Sequence, residues 1–314
     1  MARSSTTRKP VSPPPRRSAR TAISPRLRRW LVGVAALVAG AVTAVVIVWQ
    51  PWSGLTGGSG GEATPGLPAT PDYHALLVSP TNPDDVYLGT HAGLFRSIDA
   101  GASWRKVALD GRDAMNLARR SPTELWATGH NVLMHSLDNG ASWQNAASKG
   151  LPGLDVHGFA IDPSRPNRLW AAVAGQGLYR SDDDGGTFAV VSHEVGGAVM
   201  ALVVMPDGRL LAGDMQRGLL ISGDEGRTWA TGVGARLMGL AVQPGDPQTV
   251  LATGPAILRS SNGGTDFSTV LETPSGSGPV AFAPTRPTRA YVVGFDRVLY
   301  RSDDAGVSWR PVNR

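Results

Sequence analysis

Histidine and methionine side chains recur at two matching places along this chain, and both residue types can bind metals. Short apolar runs that end in proline occur several times, for example at 76–80 and 159–163. The sixth residue before such a proline is His74, His157, Met200 or Met238. Met115 takes the same place if one inserted residue is allowed. A second place, later in the same units, holds His91, His130 and Met215.

Aspartates accompany the first of these places in only part of the chain. Asp72, Asp113 and Asp155 stand two residues before His74, Met115 and His157, whereas the later units have Ala198, Arg236 and Gly276 there. Residues i and i+2 of a β-strand point to the same side. The pattern therefore predicts a cluster of acidic and histidine side chains on one half of a shared surface.

Four interpretations of this cluster remain open. It can form a surface that binds a partner or ligand. Alternatively, His74, His91, His130 and His157 with Met115, Met200 and Met238 can bind a metal, and copper suits imidazole and thioether ligands together. Two of Asp72, Asp113 and Asp155 can also act as acid and base in glycoside hydrolysis. Finally, these side chains can simply fill a narrow channel, a role that suits methionine.

The elements that position these residues form a repeat. An eight-residue pattern, Ser-x-Asp-x-Gly-x-Ser/Thr-Trp in its best copies, occurs six times at spacings of 38 to 45 residues, at 97–104, 136–143, 181–188, 222–229, 260–267 and 302–309. Around each copy lie short β-branched and aromatic runs bounded by turn residues, which indicate strands. Four strands in a unit of about 40 residues are typical of a propeller blade. We therefore predict an all-β, six-bladed propeller over residues 72–314, with the first strand of each blade lining the central channel.

The eight-residue pattern resembles the Asp-box of the BNR-repeat propellers, a group that includes sialidases, sortilin-type receptors, xyloglucan-cleaving enzymes and a photosystem II assembly factor. The resemblance implies a hairpin between the third and fourth strands, in which Asp99 caps turn amides and Trp104 packs beside the neighbouring blade. It is specific for the fold and does not by itself indicate an activity. An exo-acting, sialidase-like glycoside hydrolase remains an alternative, although the Arg-Ile-Pro segment of sialidases is missing.

Charge and hydropathy divide the chain before the repeats. Residues 1–29 hold nine basic residues and no acid, whereas the remainder has 21 basic and 25 acidic residues. Residues 30–50 form an uncharged apolar stretch with tryptophan near both ends, which predicts a transmembrane helix. Residues 51–71 are rich in Gly, Pro, Ser and Thr and are predicted to be a linker. The positive-inside rule then places the disordered basic tail in the cytoplasm and the propeller outside it.

Several classes of function are excluded or disfavoured. The chain has no cysteine, which excludes disulfides and thiolate metal sites. The net charge of −4 beyond residue 29 argues against nucleic-acid binding by the propeller. The sequence favours a non-enzymatic, membrane-anchored binding or assembly module with an extracytoplasmic protein or glycan ligand. Copper is the cofactor that the pattern suggests most strongly, and imidazole also suits zinc.

Overall fold

The computed structural model of the chain describes residues 61–312. The predicted basic tail and transmembrane helix lie outside these residues. No helix in this part of the chain is long and apolar enough to cross a membrane.

The described residues form six antiparallel sheets, as the repeat predicts. The strands of the first three blades are β1 (Thr64–Pro65), β2 (Ala75–Val78), β3 (Val86–Thr90), β4 (Gly93–Ser97) and β5 (Ser103–Ala108); β6 (Asn116–Arg119), β7 (Leu125–Gly129), β8 (Val132–Ser136) and β9 (Gln144–Asn145); β10 (Val156–Ile161), β11 (Leu169–Val173), β12 (Gly177–Ser181) and β13 (Ala189–Ser192).

The last three blades have four strands each. They are β14 (Val199–Val204), β15 (Leu210–Asp214), β16 (Gly218–Ser222) and β17 (Ala230–Thr231); β18 (Gly239–Gln243), β19 (Asp246–Thr253), β20 (Ala256–Ser260) and β21 (Ser268–Glu272); β22 (Ser277–Ala283), β23 (Arg286–Gly294), β24 (Leu299–Ser302) and β25 (Arg310–Pro311).

The first strands of the blades form a closed ring around the channel, in which β2, β6, β10, β14, β18 and β22 each contact the next and β22 contacts β2. Side-chain packing and polar contacts join blades six and one, and within residues 61–312 the two blades share no strand. Tyr291 donates its hydroxyl to the Pro83 carbonyl at 2.9 Å, and Arg289 forms an ion pair with Asp84. Trp104 of blade one is buried against Leu299 and other side chains of blade six.

One segment predicted as linker contributes to the first blade. Thr64–Pro65 pairs with the outer strand β5, so this sheet has five strands. The Tyr73 hydroxyl donates to the Pro68 carbonyl at 2.7 Å, which holds the incoming chain against the propeller. A two-residue strand of Thr and Pro carries no alternating apolar pattern, and the sequence therefore gave no strand signal here.

The eight-residue pattern forms the hairpin between the third and fourth strands, as the resemblance implies. Asp99 accepts from the Ser103 amide at 2.9 Å and from the Ser103 hydroxyl at 2.6 Å, while Ser97 accepts from the Gly101 amide at 2.8 Å. Ala100 adopts a left-handed conformation with φ of 60°. In the fourth blade, hydrogen bonds from the Thr228 amide and hydroxyl lower the pKa of Asp224 to about 2. These carboxylates are therefore committed to turn structure rather than to catalysis.

Candidate functional site

The mouth of the channel is the face that carries the starts of the first strands and the turns between the second and third strands. His91 and His130 each lie in a two-residue hairpin turn, closed by the pairs Thr90↔Gly93 and Gly129↔Val132. The tight turns fix both histidines at the rim. The acidic residues lie just before the inner strands β2, β6 and β10, whereas the sequence pattern placed each aspartate and its partner on the strand itself. Of these partners, only His157 lies within its strand.

In blade two, the backbone at Asp113 lies close beneath the turn that carries His130. A Cβ at Gly129 would lie 2.8 Å from the Asp113 carbonyl oxygen, closer than side chains tolerate. The His130 amide donates to Asp113 Oδ2 at 3.2 Å. Glycine at position 129 therefore allows Asp113 to reach the rim from beneath the turn.

Seven residues meet on one half of the mouth and are here called the His–Asp array: Asp72, His74, His91, Asp113, His130, Asp155 and His157. They form three overlapping groups of two histidines and one aspartate. In the first triad, Asp72–His74–His91, His91 Nδ1 lies 2.6 Å from Asp72 Oδ1. His74 Nε2 lies 3.4 Å from the same carboxylate oxygen and 3.3 Å from His91 Nδ1.

The other two groups continue the array into blades two and three. In the middle triad, Asp113 Oδ2 lies 2.6 Å from His130 Nδ1 and 3.5 Å from His91 Nε2. In the third triad, Asp155 Oδ1 lies 2.9 Å from His157 Nε2 and 3.6 Å from His130 Nε2. The two histidine Nε2 atoms of this triad are 3.3 Å apart. His91 and His130 thus use both ring nitrogens to link neighbouring triads.

Burial differs along the array. The Asp113 side chain is 8% exposed, whereas that of His130 is 47% exposed. Asp113 Oδ1 is buried and has no hydrogen-bond partner among residues 61–312. Burial lowers the pKa of His74 below its ordinary value, and this effect exceeds the opposing attraction of Asp72. His74 is therefore neutral near pH 7, the form in which imidazole binds metals.

The predicted methionines lie in the channel below this rim. Met115, Met200 and Met238 line a cavity of about 100 Å³ together with His74. Met115 is almost fully buried. The three sulfur-bearing side chains thus narrow the channel next to the first triad.

The other half of the mouth is an apolar depression that was not predicted as a site. It has a volume of about 520 Å³ and is lined in part by Met215, Arg236, Met238, Pro255, Pro274 and Phe295. The side chains of Met215 and Phe295 are 37% and 38% exposed. Phe295 occupies the same turn between second and third strands as His91 and His130, a repeat position that could have revealed it.

The Asp-box hairpins and the ring of inner strands define a BNR-type propeller with a mouth divided into a polar and an apolar half. Residues 72–312 match the model of the family described as Photosynthesis system II assembly factor YCF48, and the chain belongs to this family. No curated protein sequence is significantly similar to the chain.

Solved structures support the same fold. YCF48 from Cyanidioschyzon merolae is 18% identical, with a TM-score of 0.52 over 80% of this chain and 88% of that one. A structure of YCF48 bound to D1 peptide is 19% identical, with a TM-score of 0.52 over 80% and 85% of the two chains. The GH74 xyloglucanase from Xanthomonas campestris is 20% identical, with a TM-score of 0.56 over 81% of this chain. This chain covers only 46% of that enzyme.

Proposed function

We propose that this chain is a membrane-tethered, extracytoplasmic binding or assembly module that holds a peptide segment of a partner protein at the propeller mouth. The apolar depression carries the proposal. Exposed Met215 and Phe295 flank a concave surface, and exposed apolar concavities are typical of ligand and protein contacts. Flexible methionine side chains can adapt to a bound chain.

Arg236 gives the bound segment a direction. It lines the depression on the side of blade five, whereas the His–Asp array lies on the side of blades one to three. A peptide with an acidic end toward Arg236 and apolar side chains along Met215 and Phe295 would match the depression. The family relationship, and the peptide bound to one YCF48, support a peptide as the ligand.

The tether follows from the sequence. Residues 30–50 anchor the chain, and residues beyond the anchor lie on the outer side of the membrane, opposite the nine basic residues of the tail. The module thus acts on membrane proteins or on proteins close to the membrane surface.

Glycoside hydrolysis receives less support from the geometry. The carboxylates of Asp72, Asp113 and Asp155 each have histidine nitrogens within 2.6 to 2.9 Å. An acid and base pair would instead have to face a sugar between them. The favoured function is therefore binding, without a catalytic step.

Affinity purification of the full chain from solubilised membranes tests the function. Phe295→Asp should abolish recovery of a specific membrane partner, whereas Ile98→Asp should leave it unchanged. Ile98 is a matched control, because it is 64% exposed and lies on an Asp-box turn at the opposite face. Equal recovery with both variants would contradict binding at the mouth.

A further inference from the structure

The ring nitrogens of His91 and His130 lie among carboxylate oxygens of neighbouring blades. Each nitrogen of both rings has such an oxygen nearby, at 2.6 and 3.5 Å for His91 and at 2.6 and 3.6 Å for His130. A neutral imidazole has one N–H and one lone pair. The lone pair can bind a cation, and a carboxylate and a second imidazole lie beside it in the first and third triads.

Two metal ions fit this arrangement of donor atoms. We propose that the His–Asp array binds two divalent cations of the Zn²⁺ or Cu²⁺ class, one in the Asp72–His74–His91 triad and one in the His130–Asp155–His157 triad. His91 then binds the first ion through Nδ1, and His130 binds the second through Nε2. The remaining nitrogens, His91 Nε2 and His130 Nδ1, then carry the ring protons and face Asp113 Oδ2 at 3.5 and 2.6 Å.

The distances between the donor atoms are close to the distances between the ligands of such an ion. Two ligands at about 2.1 Å from a tetrahedral Zn²⁺ lie about 3.4 Å apart. The corresponding distances are 3.3 and 3.4 Å around His74 Nε2 and 2.9, 3.3 and 3.6 Å in the third triad. Two contacts must widen to admit an ion, the 2.6 Å contact between Asp72 and His91 and the 2.9 Å contact between Asp155 and His157.

Asp113 acts as a positioning residue for both sites. Metal-bound histidines generally donate their second N–H to a carboxylate or carbonyl, which fixes the tautomer and orients the ring. Asp113 is buried and its Oδ2 faces a ring nitrogen of both linking histidines, so its negative charge couples the two sites. The ligand set of two imidazoles and one carboxylate has no thioether, which favours Zn²⁺ or Cu²⁺ over the Cu(I) that the methionines suggested.

The proposal is tested by titrating the metal-free full chain with Zn²⁺. The protein is purified in detergent without a polyhistidine tag, stripped with chelator and studied by calorimetry and metal analysis at pH 7.5. Two ions per chain are expected. His74→Gln and His157→Gln should each reduce the stoichiometry to one, and Asp113→Asn should weaken both sites about 10- to 100-fold.

The chain offers two matched histidine controls. His135 packs against Trp126, and His193 Nδ1 lies 2.6 Å from the Gln176 carbonyl, both away from the array. His135→Gln and His193→Gln should retain two ions. Circular dichroism of each metal-free variant checks folding, and His130→Gln, at a largely exposed side chain, provides a second ligand variant if His74→Gln unfolds. Absence of Zn²⁺ binding, or binding that survives His74→Gln, His130→Gln and His157→Gln, would overturn the proposal.

Discussion

Asp113 Oδ2 lies 2.6 Å from Nδ1 of His130, and this contact within blade two repeats the one between Asp72 and His91 in blade one. Between blades, the Nε2 atoms of His91 and His130 face the next aspartate at 3.5 and 3.6 Å. The array is thus a local property of the repeat, extended over three blades. It ends after blade three, because the later units lack the aspartate.

The buried histidine of the array makes stability depend on pH. Because burial lowers the pKa of His74, the unfolded chain takes up this proton first as the pH falls. The free energy of unfolding should therefore decrease as the pH drops below about 6.5. His74→Gln should abolish the part of this decrease that is due to His74. Urea midpoints of the metal-free protein at pH 7.5, 6.0 and 5.0 measure the effect, and identical pH profiles for the two proteins would contradict it.

The close approach at Gly129 should be sensitive to a single methyl group. Gly129→Ala places Cβ against the Asp113 backbone and should destabilise the protein by about 1–3 kcal/mol, the usual range for overpacking. Gly153→Ala is the matched control, since nothing lies within 4 Å of its Cβ position. Thermal midpoints of both variants provide the measurement. A Gly129→Ala midpoint equal to that of Gly153→Ala would show that the blade can relax freely.

Closure of the ring depends on inter-blade packing, and Trp104 is the tryptophan that packs across the junction between blades six and one. Trp104 is 1% exposed, whereas Trp143, Trp229 and Trp309 are only partly buried against their preceding blades. Trp104→Ala should cost about 3–5 kcal/mol of unfolding free energy. Trp143→Ala should cost less, because less of its surface is buried. Denaturant titration of both variants checks the order, and equal or reversed costs would contradict it.

The repeat made much of this architecture predictable. Six Asp-box copies at near-constant spacing determine the blade number, and the alignment of His74 with His157 brought the array residues into register. The contact of His91 with Asp113 was not predictable, because it depends on how neighbouring blades are set against each other. Phe295 was missed because its turn has neither histidine nor methionine. The strand Thr64–Pro65 was missed because Gly- and Pro-rich sequence indicates a linker.

Membrane topology is a separate prediction. Protease added to spheroplasts should digest the propeller, because the positive-inside rule predicts a cytoplasmic N-terminus for this chain. A protease-sensitive tag at the N-terminus should remain protected in the same sample and serves as the control for membrane integrity. A protected propeller with a digested tag would reverse the topology.

Photo-crosslinking at the mouth tests the central claim most directly. A benzophenone amino acid replaces Phe295 in the apolar half or, as a control of similar character, Val307 on an Asp-box turn at the opposite face, where the side chain is 58% exposed. The account predicts that irradiation of intact cells gives one discrete protein adduct from position 295 and none of the same size from position 307. Peptide mapping should place the adduct in an extended segment of a membrane-associated partner. The same adduct from both positions, or an adduct from position 307 alone, would contradict a binding site at the mouth.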